Sequence, residues 1–416
     1  MSPGSGSDGL LLALVGSVVP DDPQYRTAAF SVAGNSSQAR LIRSLRANGV
    51  VVDEVISFVP VPSFPRSSRL WQHRATGTVE GVRTVLLPFL NVMPAKFACL
   101  GWGIFRRVAW WSWENRRRPR VVHMYNVGRP PGLFAYAAAR LTGAAVTASL
   151  YDVGTVGRDE PDTVWQRLSH RLTKWLVRRL DGRIVITPAI ERDFAAGRPC
   201  LLVDGGVSEE WLDRFEPAAP DSSSPETCVF LLAGSLWEIN GVGLVLEAFG
   251  RLGEPGFVLL VAGQGPLQAV VKAAAARDAR ILPLGFLGPE DLAAAYARAD
   301  VLLNIRLTES NPAPYHFPSK LHEYLATGRL VISTPAAHIR DEYGDFCLIL
   351  EREDADALAE LMQRAARMPA GERRAVGQRA REYIRAEKTW TAQGRRIAAY
   401  LAAAAAKANG EAADVR

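Results

Sequence analysis

Cysteine is scarce in this chain of 416 residues: Cys99, Cys200, Cys228 and Cys347 lie far apart, and none falls in a CxxC spacing. That excludes a disulfide framework and a cysteine-based zinc site, and it fits reduced thiols packed in a core. Also missing is any run of about 18 uncharged apolar residues, so no membrane-spanning helix is expected. The opening MSPGSGSDG carries no positive charge, and LLLALVGSVV after it reads as a first buried strand, not a signal peptide. A cytoplasmic location follows, with the inner face of the membrane as an added site. The basic residues form no recognisable reading motif for bases, which sets nucleic acid aside as a partner.

What the chain does have is apolar material, 48% of its residues, and a length that suits two domains of about 200 residues each. Apolar strands alternate with helical patterns, as in open, mostly parallel sheets flanked by helices. Strands are expected near 10–18, 50–58, 120–124, 145–151 and 183–187, then near 228–233, 257–262, 280–284, 300–304 and 330–333. Between these groups lies PAAPDSSSP, whose Pro, Ser and Asp content marks a linker. The division is therefore 1–216, a linker at 217–225, 226–370, and an Ala-rich helical end at 371–416.

Charge is divided unevenly. Residues 1–215 hold 27 Lys and Arg against 18 Asp and Glu, a net of +9, which leaves −3 of the overall +6 for the rest. Such a half favours anionic partners. Within it, 87–120 mixes Trp102, Trp110, Trp111 and Trp113 with Arg106, Arg107 and Arg116 to Arg118, a composition suited to the interface of an anionic membrane.

The most informative segment is FPSKLHEYLATGRLVIST, from Phe317 to Thr334. Pro318 suits a helix start, Gly328 a helix stop, and LVIS a parallel strand. Leu321, Tyr324 and Leu325 share one helix face, while Lys320, Glu323 and Thr327 share another. Free N–H groups at a helix start attract phosphate, Lys320 adds a full charge, and Glu323 accepts hydrogen bonds from sugar hydroxyls. The combination suits a nucleoside diphosphate.

This segment resembles the donor-site motif of glycosyltransferase family 4, in the subgroup reading P-S-K-x-x-E-Y-x-A-x-G, with Pro318, Ser319, Lys320, Glu323, Tyr324, Ala326 and Gly328 at its fixed positions. FLLAGSLWEINGVGLVLEAF (230–249), LLVAGQGP (259–266) and ILPLGFLGPEDLAAAYARADVLLN (281–304) match the sections that precede it in that family. The resemblance implies an α/β protein of the GT-B class, two Rossmann-like domains facing across a central cleft, with terminal helices crossing back to the N-terminal domain. It implies retaining, metal-independent transfer of a sugar from a nucleoside diphosphate sugar to a hydroxyl acceptor, lipid-linked or small, with UDP favoured and GDP open. On the donor side it points to Gly234, Ser235, Asn240, Gly241, Gly263, Phe286, Leu287, Pro318, Ser319, Lys320, Leu321 and Glu323.

Two departures accompany the match. Relatives usually carry Arg and Lys where this chain has Ser235 and Asn240, so either Lys320 with Arg306 compensates or the donor is held weakly. Relatives often have a Glu at the position of Tyr315; Glu309 is the nearest candidate to replace it, with His316 as a hydrogen-bonding neighbour. On the acceptor side, SVAGNSSQARLIRSLRANGV (31–50) resembles the family's opening glycine loop, with Gly34 and Asn35 at the ligand and Ser36 or Ser37 capping the helix. VVHMYN (121–126) supplies His123 and Tyr125, and LYDVGTVGRDEP (150–161) supplies Asp152, a carboxylate placed to orient or deprotonate an acceptor hydroxyl. The expected catalytic set is Asp152, Lys320 and Glu309. Asp354 and Asp356 form a DxD, read as a helix cap; no cofactor and no metal is expected. Two other readings stay open at this point, a scaffold that kept the fold without catalysis and a UDP-sugar epimerase or hydrolase.

Overall fold

Val, Leu and Ile runs separated by helix-forming stretches cannot close as hairpins, so they pair side by side through crossover helices. The computed structural model describes residues 9–127, 131–151, 164–215, 227–308, 314–408 and 410, without the side chains of 164–166. It contains two units, 1–203 joined by 390–416, and 204–389.

The first unit runs β1 (Leu11–Val15), α1 (Val32–Ala47), β2 (Val51–Ser57), β3 (Trp71–Gln72), β4 (Ala75–Val79), β5 (Val82–Leu86), β6 (Phe89–Leu90), α2 (Ala95–Glu114), β7 (Arg120–Tyr125), α3 (Pro131–Thr142), β8 (Ala145–Leu150), α4 (Val164–Val177), β9 (Gly182–Val185), α5 (Pro188–Ile190) and β10 (Leu201–Leu202). Its sheet has the order β10-β9-β8-β7-β1-β2-β5-β4. Pairing is parallel except in the β4–β5 hairpin, which turns at Glu80 and Gly81, both at positive φ. The chain steps one way from β1 to β2 and the other way from β7 through β8 to β9. Right-handed crossovers then place α1 on one face and α3 and α4 on the other. α2 lies against α3, close enough that a Cβ on Gly101 would come within 2.5 Å of the Phe134 ring.

The second unit runs α6 (Glu209–Asp213), β11 (Thr227–Ala233), α7 (Val242–Gly250), β12 (Gly256–Ala262), α8 (Gln268–Arg277), β13 (Ile281–Gly285), α9 (Pro289–Arg298), β14 (Val301–Asn304), α10 (Lys320–Ala326), β15 (Leu330–Ser333), α11 (Ile339–Tyr343), β16 (Leu348–Ile349), α12 (Ala355–Arg367) and α13 (Ala370–Glu387). Its sheet, β13-β12-β11-β14-β15-β16, is wholly parallel. Alternate side chains of β11 feed two cores: Phe230 and Leu232 pack with Phe249, Leu259 and Met362, while Leu231 and Ala233 pack with Tyr296, Leu325 and Ile384. The chain then returns to the first unit as α14 (Trp390–Ala408), whose Ile397 and Leu401 share a core with Leu41, Ile42 and Leu45 of α1.

All ten expected strands are present, and the structure adds β3 to β6, β10 and β16. The units part at Val203 and Asp204, ahead of the expected linker, and 217–225 lies outside the described residues. The expected break at 371 also moves, to 390, because α13 belongs to the second unit. There Arg381 donates to the carbonyls of Ala326 and Leu212, and Ile384 is fully buried. Ser31, not Ser36 or Ser37, caps α1 by accepting from Gly34 N–H at 3.1 Å, so the helix starts earlier than expected. Trp111 and Arg107 turn inward, to Asp53 and Glu54, and leave Trp102, Trp110 and Trp113 exposed. No helix among the described residues is long and apolar enough to cross a membrane.

Close packing of α14 on α1 yields a test. A Cβ on Gly394 would lie 2.7 Å from the Ser44 carbonyl oxygen, whereas one on Gly250 meets nothing within 4 Å. Urea unfolding should show Gly394→Leu destabilised by about 3 kcal/mol through overpacking, and Gly250→Ala unchanged or slightly stabilised.

Candidate functional site

In an open parallel sheet, a hollow forms beyond the carboxyl ends of two strands whose connections leave in opposite directions. In the second unit those strands are β11, which leads to α7 and β12, and β14, which leads to α10 and β15. A cavity of about 250 Å³ lies there, lined by Gly234, Ser235 and Asn240 after β11, by Asn304 and Arg306 at the end of β14, and by Phe317 to Lys320 before α10. A second hollow, of about 280 Å³, shares Gly234, Ser235 and Lys320 and adds Gly263, Gln264, Phe286 and Leu287.

Local folding explains the glycines. Gly263 sits at φ +138, donates to the Gly285 carbonyl at 2.7 Å, and passes so close to Gly234 that a side chain there would overlap the Gly234 carbonyl oxygen. Gly241 sits at φ +65 with the Ile305 side chain where its Cβ would be. The strand-end loops are thus threaded past one another, and their backbone lies open to the cavity. Tyr324 fastens the other wall: its buried hydroxyl donates to the Ala233 carbonyl at 2.6 Å and accepts from the Ala233 N–H at 3.3 Å. Burial pushes that phenol's pKa up, which keeps it a donor.

Lys320 extends over Gly234, its Cε 3.5 Å from where a Cβ would be. Arg306 faces it across the cavity, donating to Asn240 Oδ1 at 3.3 Å. The Arg306 backbone is fixed by Thr334, whose hydroxyl accepts from the Arg306 N–H and donates to its carbonyl. Asn240 in turn donates to the Ser235 carbonyl and hydroxyl at 2.7 and 2.9 Å. The two uncharged loop residues therefore bind each other and support an arginine, and two cations line a hollow with no carboxylate among its lining residues. Phe286 is 73% exposed at the rim of the second hollow.

Several expected residues stand elsewhere. Leu321 is fully buried in the core with Tyr324 and Leu325 and lines neither hollow. Glu323 lines neither hollow, and its carbonyl accepts from Trp211 Nε1 at 3.3 Å. Thr327 bonds back to its own helix at the Tyr324 carbonyl, so the face expected to hold Lys320, Glu323 and Thr327 together on a ligand is split. Asp354 caps α12 by accepting from Ala357 N–H, and Asp356 pairs with Arg251.

In the first unit the same reversal falls between β1 and β7. Tyr125 lies at that end of β7, its ring 5.2 Å from Tyr151. Asn35 is tied to the Val19 backbone, and Gln38 Oε1 accepts from Ser17 N–H at 3.0 Å, a loop anchor that sequence reasoning passed over. His123 is corrected: it is fully buried with its ring nitrogens 2.9 Å from the Thr147 and Ser149 hydroxyls. Burial lowers its pKa to about 3, so it is a neutral framework residue and not an acceptor contact. Asp152 and Glu309 lie outside the described residues.

Behind Phe317 is a charge network the sequence did not disclose. Buried Asp204 accepts from Lys388 Nζ at 3.0 Å and from Tyr343, and lies 3.1 Å from His338 Nε2. His338 also meets Glu342 at 3.2 Å, and His322 Nε2 lies 2.8 Å from the Tyr343 hydroxyl. Phe317 covers the group, its ring 5.0 Å from His338 and 5.1 Å from His322. Asp204, His338 and Glu342 have metal-like spacing, but Lys388 Nζ already bridges Asp204 and Glu342 as their cation. Burial would raise the Asp204 pKa; contacts with His322, His338 and Lys388 outweigh it and hold the carboxyl well below its usual range. For His338, burial opposes charge, yet hydrogen bonds to Asp204 and Glu342 raise its pKa to about 9.

Comparison with known proteins bears on both units. Residues 34–199 match the family model described as Glycosyl transferase 4-like domain, and 227–367 that described as Glycosyl transferases group 1. Curated proteins gave no match. Among solved structures, the chain is similar to the lipopolysaccharide outer core galactosyltransferase WaaB, with a TM-score of 0.64 at 14% identity over 93% of this chain and 98% of that one. Sucrose-phosphate synthase from Thermosynechococcus elongatus gives 0.61 at 17% over 93% and 97%. Anabaena HepE in complex with UDP-glucose gives 0.58 at 12% over 94% and 98%. At these identities the likeness speaks for the fold.

Two measurements test this architecture. Stability from protonated His338 is complete below its unfolded pKa of about 6.5 and is lost as pH rises through the folded value of about 9, so the melting temperature should fall across that window. In His338→Gln that slope should flatten. Asp204→Asn, which leaves buried Lys388 and His338 to share the single carboxylate of Glu342, should cost about 3 kcal/mol in urea unfolding.

Proposed function

The chain is a family 4-like glycosyltransferase with the GT-B fold, and from that premise we propose that it moves a sugar from a nucleoside diphosphate, UDP in preference to GDP, to a hydroxyl acceptor with retention and without a metal ion. The observation that supports this is the hollow between β11 and β14, where backbone at Gly234 and Ser235 meets Lys320 and Arg306. A diphosphate needs donors and positive charge from several directions, and this hollow supplies both.

In this reading Ser319 and Lys320 meet the leaving diphosphate, and Arg306 replaces the basic residues absent at Ser235 and Asn240. Pro318 sets the entry to the helix, and Gly241 and Gly263 keep the backbone within reach. Phe286 and Leu287 hold the nucleobase in the second hollow, whose apolar lining suits a ring face. Glu323, outside the lining of both hollows, is assigned to the ribose. The bond from the anomeric carbon to the diphosphate oxygen breaks as a bond from the acceptor oxygen forms on the same face. The acceptor proton passes to the departing phosphate oxygen. Asp152 and Glu309 are assigned to the acceptor hydroxyl and the transferred sugar, with Gly34, Asn35 and Tyr125 on the acceptor side.

The acceptor is a lipid-linked or small-molecule hydroxyl, in surface polysaccharide, glycolipid or natural-product glycoside synthesis. A lipid-linked acceptor agrees with peripheral contact between an anionic membrane and 87–120, where Trp102, Trp110 and Trp113 are exposed beside arginines. The protein then works on the cytoplasmic side of that membrane.

Nucleotide binding is the direct test. UDP at a hundred times its dissociation constant should stabilise the protein by about 2.7 kcal/mol, seen as a raised melting temperature without added metal, and ADP and dTDP should give less. Lys320→Ala should lower kcat/KM by about 100-fold or more, and turnover should persist in EDTA. Near-normal turnover of Lys320→Ala would sink the phosphate assignment.

A further inference from the structure

Helices on the surface of a globular protein ordinarily show water a polar face. α4 does not. It buries Ser169, Leu176 and Val177, yet Leu168, 54% exposed, Leu172, 41% exposed, and Trp175 form an outward apolar row at i, i+4 and i+7. Arg167, Arg171, Lys174 and Arg178 run beside that row.

This row continues onto neighbouring helices. Tyr136 of α3 meets Trp175 edge-on at 6.0 Å, and α3 takes α2 against Phe134, so the three helices form one layer on one face of the first sheet. Its outer surface also carries Leu141, Trp102, Trp110 and Trp113. Residues 95–118, 131–142 and 164–180 together hold twelve Lys and Arg and one acid, Glu114, a net of +11. The whole chain is +6, so everything outside these segments carries −5. Arg106, Arg117, Arg167, Arg171 and Arg178 are exposed and pair with no carboxylate among the described residues. Arg116 lies over Trp113 at 4.6 Å and Arg179 over Trp175 at 4.3 Å, the pairing of cation and ring that suits a headgroup boundary.

We infer that the outer face of α2, α3 and α4 is a docking surface for an anionic lipid bilayer. The inference rests on the membrane-facing reading of 87–120 and extends it to α3 and α4, which that reading did not include. A second copy of the chain is a poor occupant, because two faces that each carry the exposed arginines of α2 and α4 repel. Nucleic acid would satisfy the arginines and leave the leucines without a partner. A bilayer takes both, its headgroups meeting the arginines and its acyl boundary the leucines and indoles. Beside α2 the layer opens into a cavity of about 840 Å³, lined by Val85, Leu87, Phe105, Trp110 and Trp113, with room for a hydrocarbon chain.

Flotation of the full chain tests this with two kinds of vesicle, phosphatidylcholine alone and phosphatidylcholine mixed with phosphatidylglycerol. The protein should float with the anionic vesicles only and be released at high salt. A Leu168→Ser/Leu172→Ser double variant should partition about tenfold less while keeping the wild-type melting temperature and nucleotide response. If the double variant floats like wild type while Trp110→Ser does not, contact is confined to α2 and the inference is overturned, with the reading of 87–120 intact. If the wild type stays at the bottom at low salt, both fall, and the nucleotide response still reports separately on the transferase. If sedimentation shows a dimer that the double variant dissolves, the face joins copies of the chain and the inference is overturned.

Discussion

Each sheet reverses its strand order once, and that reversal decides where a ligand can be held. Parallel strands joined by right-handed crossovers must send successive helices to one face while the chain moves one way, and to the other face once it turns back. Two strands at the turning point therefore end with no helix between them. In the second unit these are β11 and β14, and the open ends receive Gly234, Arg306 and, from the next helix, Lys320. The chemistry of the site follows from the connectivity.

What the reversal opens, the glycines and Tyr324 make specific. Gly263 crossing Gly234 sets the distance between two strand-end loops, and Tyr324 ties α10 to the last residue of β11. Loss of the usual basic residues at Ser235 and Asn240 looks like a weakened loop when the sequence is read alone. In three dimensions Asn240 holds Ser235 with one end of its amide and accepts from Arg306 with the other. Positive charge is supplied from the end of β14, from a position distant in sequence.

The parallel cores and the loops that line the hollow were legible because their signals are local: β-branched runs, glycines after strands, and a helix start with Lys320. The β4–β5 hairpin carried a weaker signal, a two-residue Glu80-Gly81 turn between short strands, and went unread. His123 misled because a polar residue at a strand end looks the same in sequence whether it faces a ligand or two buried hydroxyls. Trp111 and Arg107 misled similarly, since composition does not say which side of α2 meets Asp53 and Glu54. The Asp204 network was invisible for another reason: Asp204 and Lys388 are 184 residues apart, and no periodicity links them. His322 stood in plain view inside the best motif of the chain, but its partner Tyr343 lies 21 residues on, beyond a strand.

Asp204 and Lys388 are the first and nearly the last residues of the second unit. Their ion pair, with Val207 donating to the Lys388 carbonyl and bridging to Thr389, brings entry and exit of that unit to one point. Topologically the second unit is an insertion between β10 and α14, clasped at its neck. An insertion with pinned ends adds little closure entropy to its host, whatever its length. The same clasp makes 204–389 a natural cassette: it starts and stops at a single place, which is where evolution or an engineer could exchange one such unit for another without recutting the sheet of the first unit.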